Sequence, residues 1–147
     1  MNRMITSRTT VIFPTLCWIR SFFFGAFAYP LLEIAYRGHT HWTMALAGGL
    51  ALSFLYGFQM AFSQISLWRR SLLGLLTIMV IELAIGTIAN LTLGWNVWDY
   101  SDLRWHYLGQ ISLEFGFIWY GLCCLFFLLC DLVRIMLYLR PKTEKRG

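Results

Sequence analysis

Charge is what this sequence has least of. Only 13% of its 147 residues are charged, whereas 59% are hydrophobic and 18% aromatic; a soluble domain carries about 25% charged and about 45–50% apolar residues. Such a chain lacks the polar surface to cover itself in water, which excludes an ordinary soluble globular fold. Catalytic signatures are missing as well. There is no Walker A loop, nucleophile elbow, HExxH, dinucleotide-binding glycine fingerprint or CxxC pair, so neither an enzyme nor a bound cofactor is expected. Room is short too: at about 20 residues per bilayer crossing, the length holds about three to five helices and no separate nucleotide-binding domain.

What is present is a series of apolar runs separated by short basic clusters. Spans are predicted at about residues 21–36, 43–67, 71–93 and 109–139, followed by a basic tail over 140–147. The expected fold is all-α, an integral-membrane four-helix bundle forming a single domain. The first span is the hardest to place, because Val11–Tyr36 contains Pro14, Arg20 and Pro30. A charge at mid-bilayer is costly, so Arg20 is expected at the inner interface, with Val11–Ile19 either lying along the headgroups or extending the helix obliquely. Ala26-Phe27-Ala28 has the small residues of a leader cleavage site, but Arg20 interrupts the apolar stretch that a leader requires.

The net charge of +5 reads as orientation once its residues are distributed. With the N-terminus inside, Arg3, Arg8, Arg20, Arg69, Arg70, Arg134, Arg140, Lys142, Lys145 and Arg146 fall on the inner side, and only Arg37 and Arg104 on the outer. Ten against two is a strong positive-inside bias, which predicts an N-in/C-in topology and contact with anionic lipid headgroups. Nucleic-acid binding needs a solvated basic face with aromatic platforms; here the aromatics lie within the apolar runs. Trp18, Trp42, Trp68, Trp95, Trp98 and Trp105 all fall near predicted interfaces, as an aromatic belt would, with Trp119 inside the last span. Cys17, Cys123, Cys124 and Cys130 have no metal-site spacing and read as packing residues.

The polar minority within the apolar runs carries the functional argument. Glu33 and Arg37 are four apart, on one helix face in the order favourable for a pair. Glu82, Gly86, Asn90 and Gly94 follow at intervals of four, a stripe where small residues admit a neighbour and polar ones bond across the gap. Glu82 lies halfway along its span, where an ionisable group is protonated, paired or reached by water; an interhelical hydrogen bond and a transport role are both compatible with it. Gln110 and Glu114 begin the fourth span, again four apart. Glu33, Arg37, Glu82, Asn90, Asp99, Gln110 and Glu114 are therefore the candidates for lining an outward-facing polar cavity. His39, His41, His106 and Asp99 are of zinc-ligand type but have no diagnostic spacing, and hydrogen bonding at the interface accounts for them equally well.

Two stretches together resemble a known family. The first is Glu33-Ile34-Ala35-Tyr36-Arg37-Gly38-His39-Thr40-His41-Trp42-Thr43-Met44 followed by Gly48-Gly49; the second runs from Glu82 through Gly86 and Asn90 to Gly94-Trp95-Asn96-Val97-Trp98-Asp99-Tyr100-Ser101, then Leu108-Gly109-Gln110-Ile111 and Trp119. They are similar to the CmpB-like, ABC-transporter type IV family of small bacterial multi-pass proteins, over about residues 22–135. After Ser101 the family commonly has Pro and Asn where this chain has Arg104 and His106. The resemblance implies a multi-pass protein of the bacterial cytoplasmic membrane and a permease-like role. With no ATP-binding motif of its own, the chain would then need a separate ATPase subunit or a homo-oligomer. The alternative class is a membrane sensor or scaffold that binds a partner or lipid through its outer loops and transports nothing; a metal-dependent membrane enzyme using the histidines is a third.

Overall fold

A computed structural model describes the backbone of residues 6–139 and the side chains of residues 15–136. Arg3 and the basic tail 140–147 lie outside the described residues, as does the side chain of Arg8. Helix α1 spans Thr6–Arg37, α2 Trp42–Ala61, α3 Leu67–Gly86 and α4 Leu113–Leu139; a π-helical turn, Thr87–Thr92, continues α3, and two short strands, β1 His106–Tyr107 and β2 Ile111–Ser112, pair antiparallel before α4. Four segments are long and apolar enough to cross a membrane: Thr15–Arg37, Trp42–Ala61, Leu67–Thr92 and Leu113–Met136. The chain is a mostly helical, multi-pass membrane protein.

The helix limits differ from the sequence expectation in four places. In the last span, α4 begins at Leu113 because residues 108–112 form a turn and the second strand, which leaves Gln110 off the helix. Helix α1 is continuous from Thr6 through Arg20 and Pro30, so 11–19 extends the first helix; proline is tolerated in apolar helices because neighbouring groups re-satisfy the freed carbonyl. Helix α2 stops at Ala61, where Phe62 N–H bonds back to the Phe58 carbonyl and Ile65 N–H to the Phe62 carbonyl in a tight turn. Helix α3 consequently begins at Leu67 and carries Arg69 and Arg70 in its first turn. The β-ladder was not anticipated, because strands of two residues have no readable periodicity.

Consecutive helices pack antiparallel. Gly25 and Gly48 bring α1 and α2 into backbone contact, and a side chain on either would collide with the other strand of the hairpin. The ring of Phe22 covers Gly49 and that of Trp18 covers Gly57. Gly74 of α3 likewise receives Leu55 and Cys123. The buried core comprises Leu55, Ile78, Cys123 and Phe127 at mid-bundle and Met44, Ala89, Val97 and Trp98 at the end that carries the long loop. Most large apolar side chains on the outside, Phe23, Phe24, Phe27 and Phe117 among them, are exposed, which is the surface a lipid solvent requires.

Candidate functional site

At the end of the bundle holding the α1–α2 turn and the long loop, Arg37 donates to Glu33 Oε1 at 2.5 Å and Thr40 Oγ1 donates to Glu33 Oε2 at 2.7 Å. The turn depends on Gly38, whose φ of 80° suits glycine and whose N–H bonds the Ile34 carbonyl at 2.9 Å. That reversal returns Thr40 to the carboxylate it caps. The expected Glu33–Arg37 pair is therefore present, with a third partner supplied by the turn.

Asn90 and Gln110 serve a different purpose. Asn90 Nδ2 donates to the Trp98 carbonyl at 2.9 Å and to Gln110 Oε1 at 2.7 Å, while Val97 N–H donates to Asn90 Oδ1 at 2.7 Å. Trp98 Nε1 donates to the Gln110 carbonyl at 3.0 Å. All four residues are buried. Gly86 leaves the space these groups occupy, since a side chain there would strike Gln110 and the Trp98 ring. The π-turn shifts the helical register after Gly86, so Asn90 stays on the inner stripe but Gly94 emerges in an exposed turn with φ 65°. The network spends the hydrogen-bonding capacity of Asn90 and Gln110 on fastening the loop, and it removes Trp98 from the aromatic belt in which the sequence had suggested it.

The remaining loop candidates do not converge. Asp99 is exposed, and its carboxylate accepts from Ser101 Oγ at 2.6 Å and Ser101 N–H at 2.9 Å; these bonds hold it below the usual carboxylate range. Glu114 is exposed, with no hydrogen-bond or ion-pair partner among the described residues. His39 Nδ1 lies 3.0 Å from the Arg37 carbonyl oxygen, His41 Nδ1 accepts from Thr43 N–H at the start of α2, and His106 Nδ1 accepts from Gly109 N–H at 3.0 Å. Among the described residues no three His, Cys, Asp or Glu side chains form a group that could hold a metal ion. The local turns use the histidines one at a time.

A groove of about 300 Å³ lies between α1 and α4, walled by Tyr29, Leu32, Glu33, Tyr36 and Arg37 on one side and Phe115, Ile118, Trp119 and Leu122 on the other, with Tyr100 from the loop. Tyr100 stacks on Phe115 with ring centroids 4.5 Å apart, and Tyr36 meets Phe115 edge-on at 6.3 Å. At the inner limit of the groove the rings of Tyr29 and Trp119 lie 5.4 Å apart. Behind them is a small chamber of about 30 Å³, lined by the same two rings together with Ala47, Gly48, Ala51, Ile78, Ile81 and Glu82. Glu82 is 4% exposed. Tyr29 Oη donates to its Oε1 at 3.5 Å, and no Lys or Arg among the described residues is ion-paired with it. Its influence reaches the groove: burial, and after it the Glu82 carboxylate, push the Tyr100 hydroxyl above its ordinary pKa.

At the other end of the bundle is a cluster that the sequence argument overlooked. Arg70 is 3% exposed; it donates to Gln59 Oε1 at 2.5 Å and forms a two-pronged pair with Asp131, which also accepts from Gln59 Nε2 at 2.9 Å. The guanidinium also lies 5.3 Å from the centre of the Phe127 ring. Arg70 is therefore an interior tie between α2, α3 and α4 rather than the headgroup anchor its neighbours Trp68 and Arg69 suggested. Gln59 and Asp131 are polar residues in apolar spans, the same signal that singled out Glu82. What hid Arg70 was its place at a helix start.

Of the seven pathway candidates, then, Glu33, Arg37 and Glu82 gather at the groove and its chamber, and Asn90, Asp99, Gln110 and Glu114 do not join them. Tyr29, Tyr36, Tyr100, Phe115 and Trp119 are the additional lining that only the packing reveals. No curated protein and no solved structure matches the chain. Over residues 16–144, nearly its full length, the four-helix chain belongs to the CmpB family described as Putative ABC-transporter type IV.

Proposed function

We propose that this chain is the permease-like component of a transport system in a bacterial cytoplasmic membrane, lying N-in/C-in with the groove end outward and energised by a separate ATPase. The observation that carries the reading is the groove ending at Glu82. A carboxyl group buried at mid-span is costly for a protein that needs only to anchor itself, and here it lies directly behind two rings that form the inner wall of an accessible groove. The charge distribution supports the orientation: with Arg70 withdrawn into the bundle, nine of the ten inner basic residues remain for the headgroup side. Glu33 and Arg37 form the mouth of the pathway and Glu82 its deep polar group, with no catalytic role for either. Because the chain has no ATP-binding motif, the driving subunit is a second protein, and a homo-oligomer would complete the passage that one narrow bundle does not form.

Purification of the full chain from its native membrane in mild detergent, followed by assay of ATP hydrolysis and mass identification of associated subunits, tests the energising half. The expected result is a stoichiometric subunit with a Walker A sequence and ATPase activity that co-elutes with the chain. Elution of the chain alone, without activity, defeats it. A C-terminal fluorescent-protein fusion tests the orientation: fluorescence is expected for a cytoplasmic C-terminus, and its absence at normal expression would reverse the assignment.

A further inference from the structure

We infer that the groove between α1 and α4 is a binding site for an amphipathic organic cation, held on the faces of Tyr29, Tyr36, Tyr100, Phe115 and Trp119 and attracted by the Glu82 carboxylate behind them. The inference rests on the transport reading and names its substrate class. Three observations carry it.

The first is the lining. Five of the ten residues around the groove are aromatic, one of them brought from the loop. Aromatic faces present negative charge to whatever lies against them, and several rings around one space attract an alkylated or arylated cation, most strongly where water is excluded. The space of about 300 Å³ is at the small end of sites for drug-sized molecules, and Leu32, Ile118 and Leu122 provide the greasy flank an amphipath needs.

The second is the charge balance. Glu33 is already neutralised by Arg37 and bonded by Thr40. Glu82 has no cationic partner among the described residues, so it holds either its proton or an uncompensated negative charge, and a cation arriving in the groove takes the place of that proton. A buried carboxylate needs a proton or a positive neighbour; a cation on the Tyr29 and Trp119 rings supplies that neighbour through the thickness of a ring, in a medium that screens weakly. A ligand anion would instead face Glu82 without compensation, since Arg37 is occupied by Glu33.

The third is access. Helices α1 and α4 meet here through long aromatic side chains, while the backbone approaches lie elsewhere, at Gly25–Gly48 and Gly74. Leu32, Tyr36, Phe117 and Ile118 on the two flanks are exposed, so the groove opens toward the lipid, from which an amphipathic cation partitions.

The test is equilibrium binding of radiolabelled tetraphenylphosphonium to the purified full chain in nanodiscs of zwitterionic lipid, with empty discs as background. Saturable binding at one site is expected, and labelled tetraphenylborate, which has the same shape and the opposite charge, should show none when assayed by itself. Glu82→Gln should weaken binding at least about tenfold, and Tyr100→Leu or Phe115→Leu by about three- to tenfold, as expected for a lost cation–ring contact; Trp68→Phe, remote from the groove, should leave it unchanged. If Glu82→Gln fails to fold, the two aromatic variants decide. Absence of saturable binding, equal binding of tetraphenylborate, or undiminished binding in every well-folded groove variant overturns the inference. Because isolated chain suffices, a co-purifying ATPase without cation binding defeats this inference alone, and cation binding without an ATPase defeats only the energising half of the transport reading.

Discussion

Asn90→Leu should unfasten the long loop while leaving the four helices standing. In the native chain Asn90 satisfies the Val97 N–H and the Trp98 carbonyl and shares a bond with Gln110, all at 2.7–2.9 Å and all buried. Leucine leaves those groups without a partner, and each buried orphan costs about 1–3 kcal/mol. Gln110 Oε1, an acceptor, loses its donor as well, so three orphans are counted, and at the low end of that range the loss is about 3 kcal/mol. A loss of that size raises the population of the detached loop by about 100-fold. Trypsin cleavage after Arg104 reads it directly: Arg104 is exposed, but its backbone is held between the Leu103–Tyr100 and Leu113–Trp105 hydrogen bonds, so cutting requires local opening and tracks its population. The expected result for the purified protein in detergent is cleavage faster by one to two orders of magnitude, with the helical circular dichroism intact. A rate within about threefold of the parent would show that the Asn90 network does not hold the loop, and a matching collapse of helicity would show that it holds the bundle.

Other outcomes follow from the same contacts. Asp131→Leu should lower stability by about 3 kcal/mol, the low end for orphaning a buried charge because the Asp131 side chain is 31% exposed; Arg70→Leu combined with Asp131→Leu should recover part of the loss in thermal melts, and a double variant less stable than Asp131→Leu alone would contradict the pairing. Gly48→Leu should separate α1 from α2, because its side chain meets the Gly25 carbonyl and Tyr29 Cβ, with a lower melting temperature than Ala45→Leu as the check. Ser101→Ala should raise the Asp99 titration part of the way toward the ordinary carboxylate range in carbon-detected NMR, because the hydroxyl bond is lost and the Ser101 N–H bond remains. The sign follows from the depressed value: the Asp99–Ser101 turn is fully formed above the ordinary Asp pKa of 3.8 and loosens as pH falls through the lower folded one, so a turn that tightens on acidification would refute the assignment.

The locations of the spans were legible because apolar runs of bilayer length have one physical outcome, and Glu33–Arg37 was legible because a pair four residues apart meets on any helix. Helix limits were less so. Arg70 looks like a boundary anchor until the turn over residues 62–66 starts α3 four residues early and rotates the guanidinium onto Gln59 and Asp131. Asn90 and Gln110 share with Glu82 the signature of polarity in an apolar run, and spacing alone does not tell a structural lock from a pathway; the difference is whether a neighbouring backbone consumes their donors and acceptors.

Composition and patterning by themselves determine that this chain crosses a membrane, and they mark the few side chains whose burial must be compensated, since apolar length and the cost of a buried charge are local properties. Tertiary packing alone decided how that compensation is made. Beyond the local Glu33–Arg37 pair, Arg70 found Asp131 and Gln59, Asn90 found the loop, and Glu82 was left behind Tyr29 and Trp119 at the end of an aromatic groove. Those partners lie as many as 72 residues away in the chain, as Gln59 and Asp131 do, and only the antiparallel packing of helices brings them within hydrogen-bonding distance.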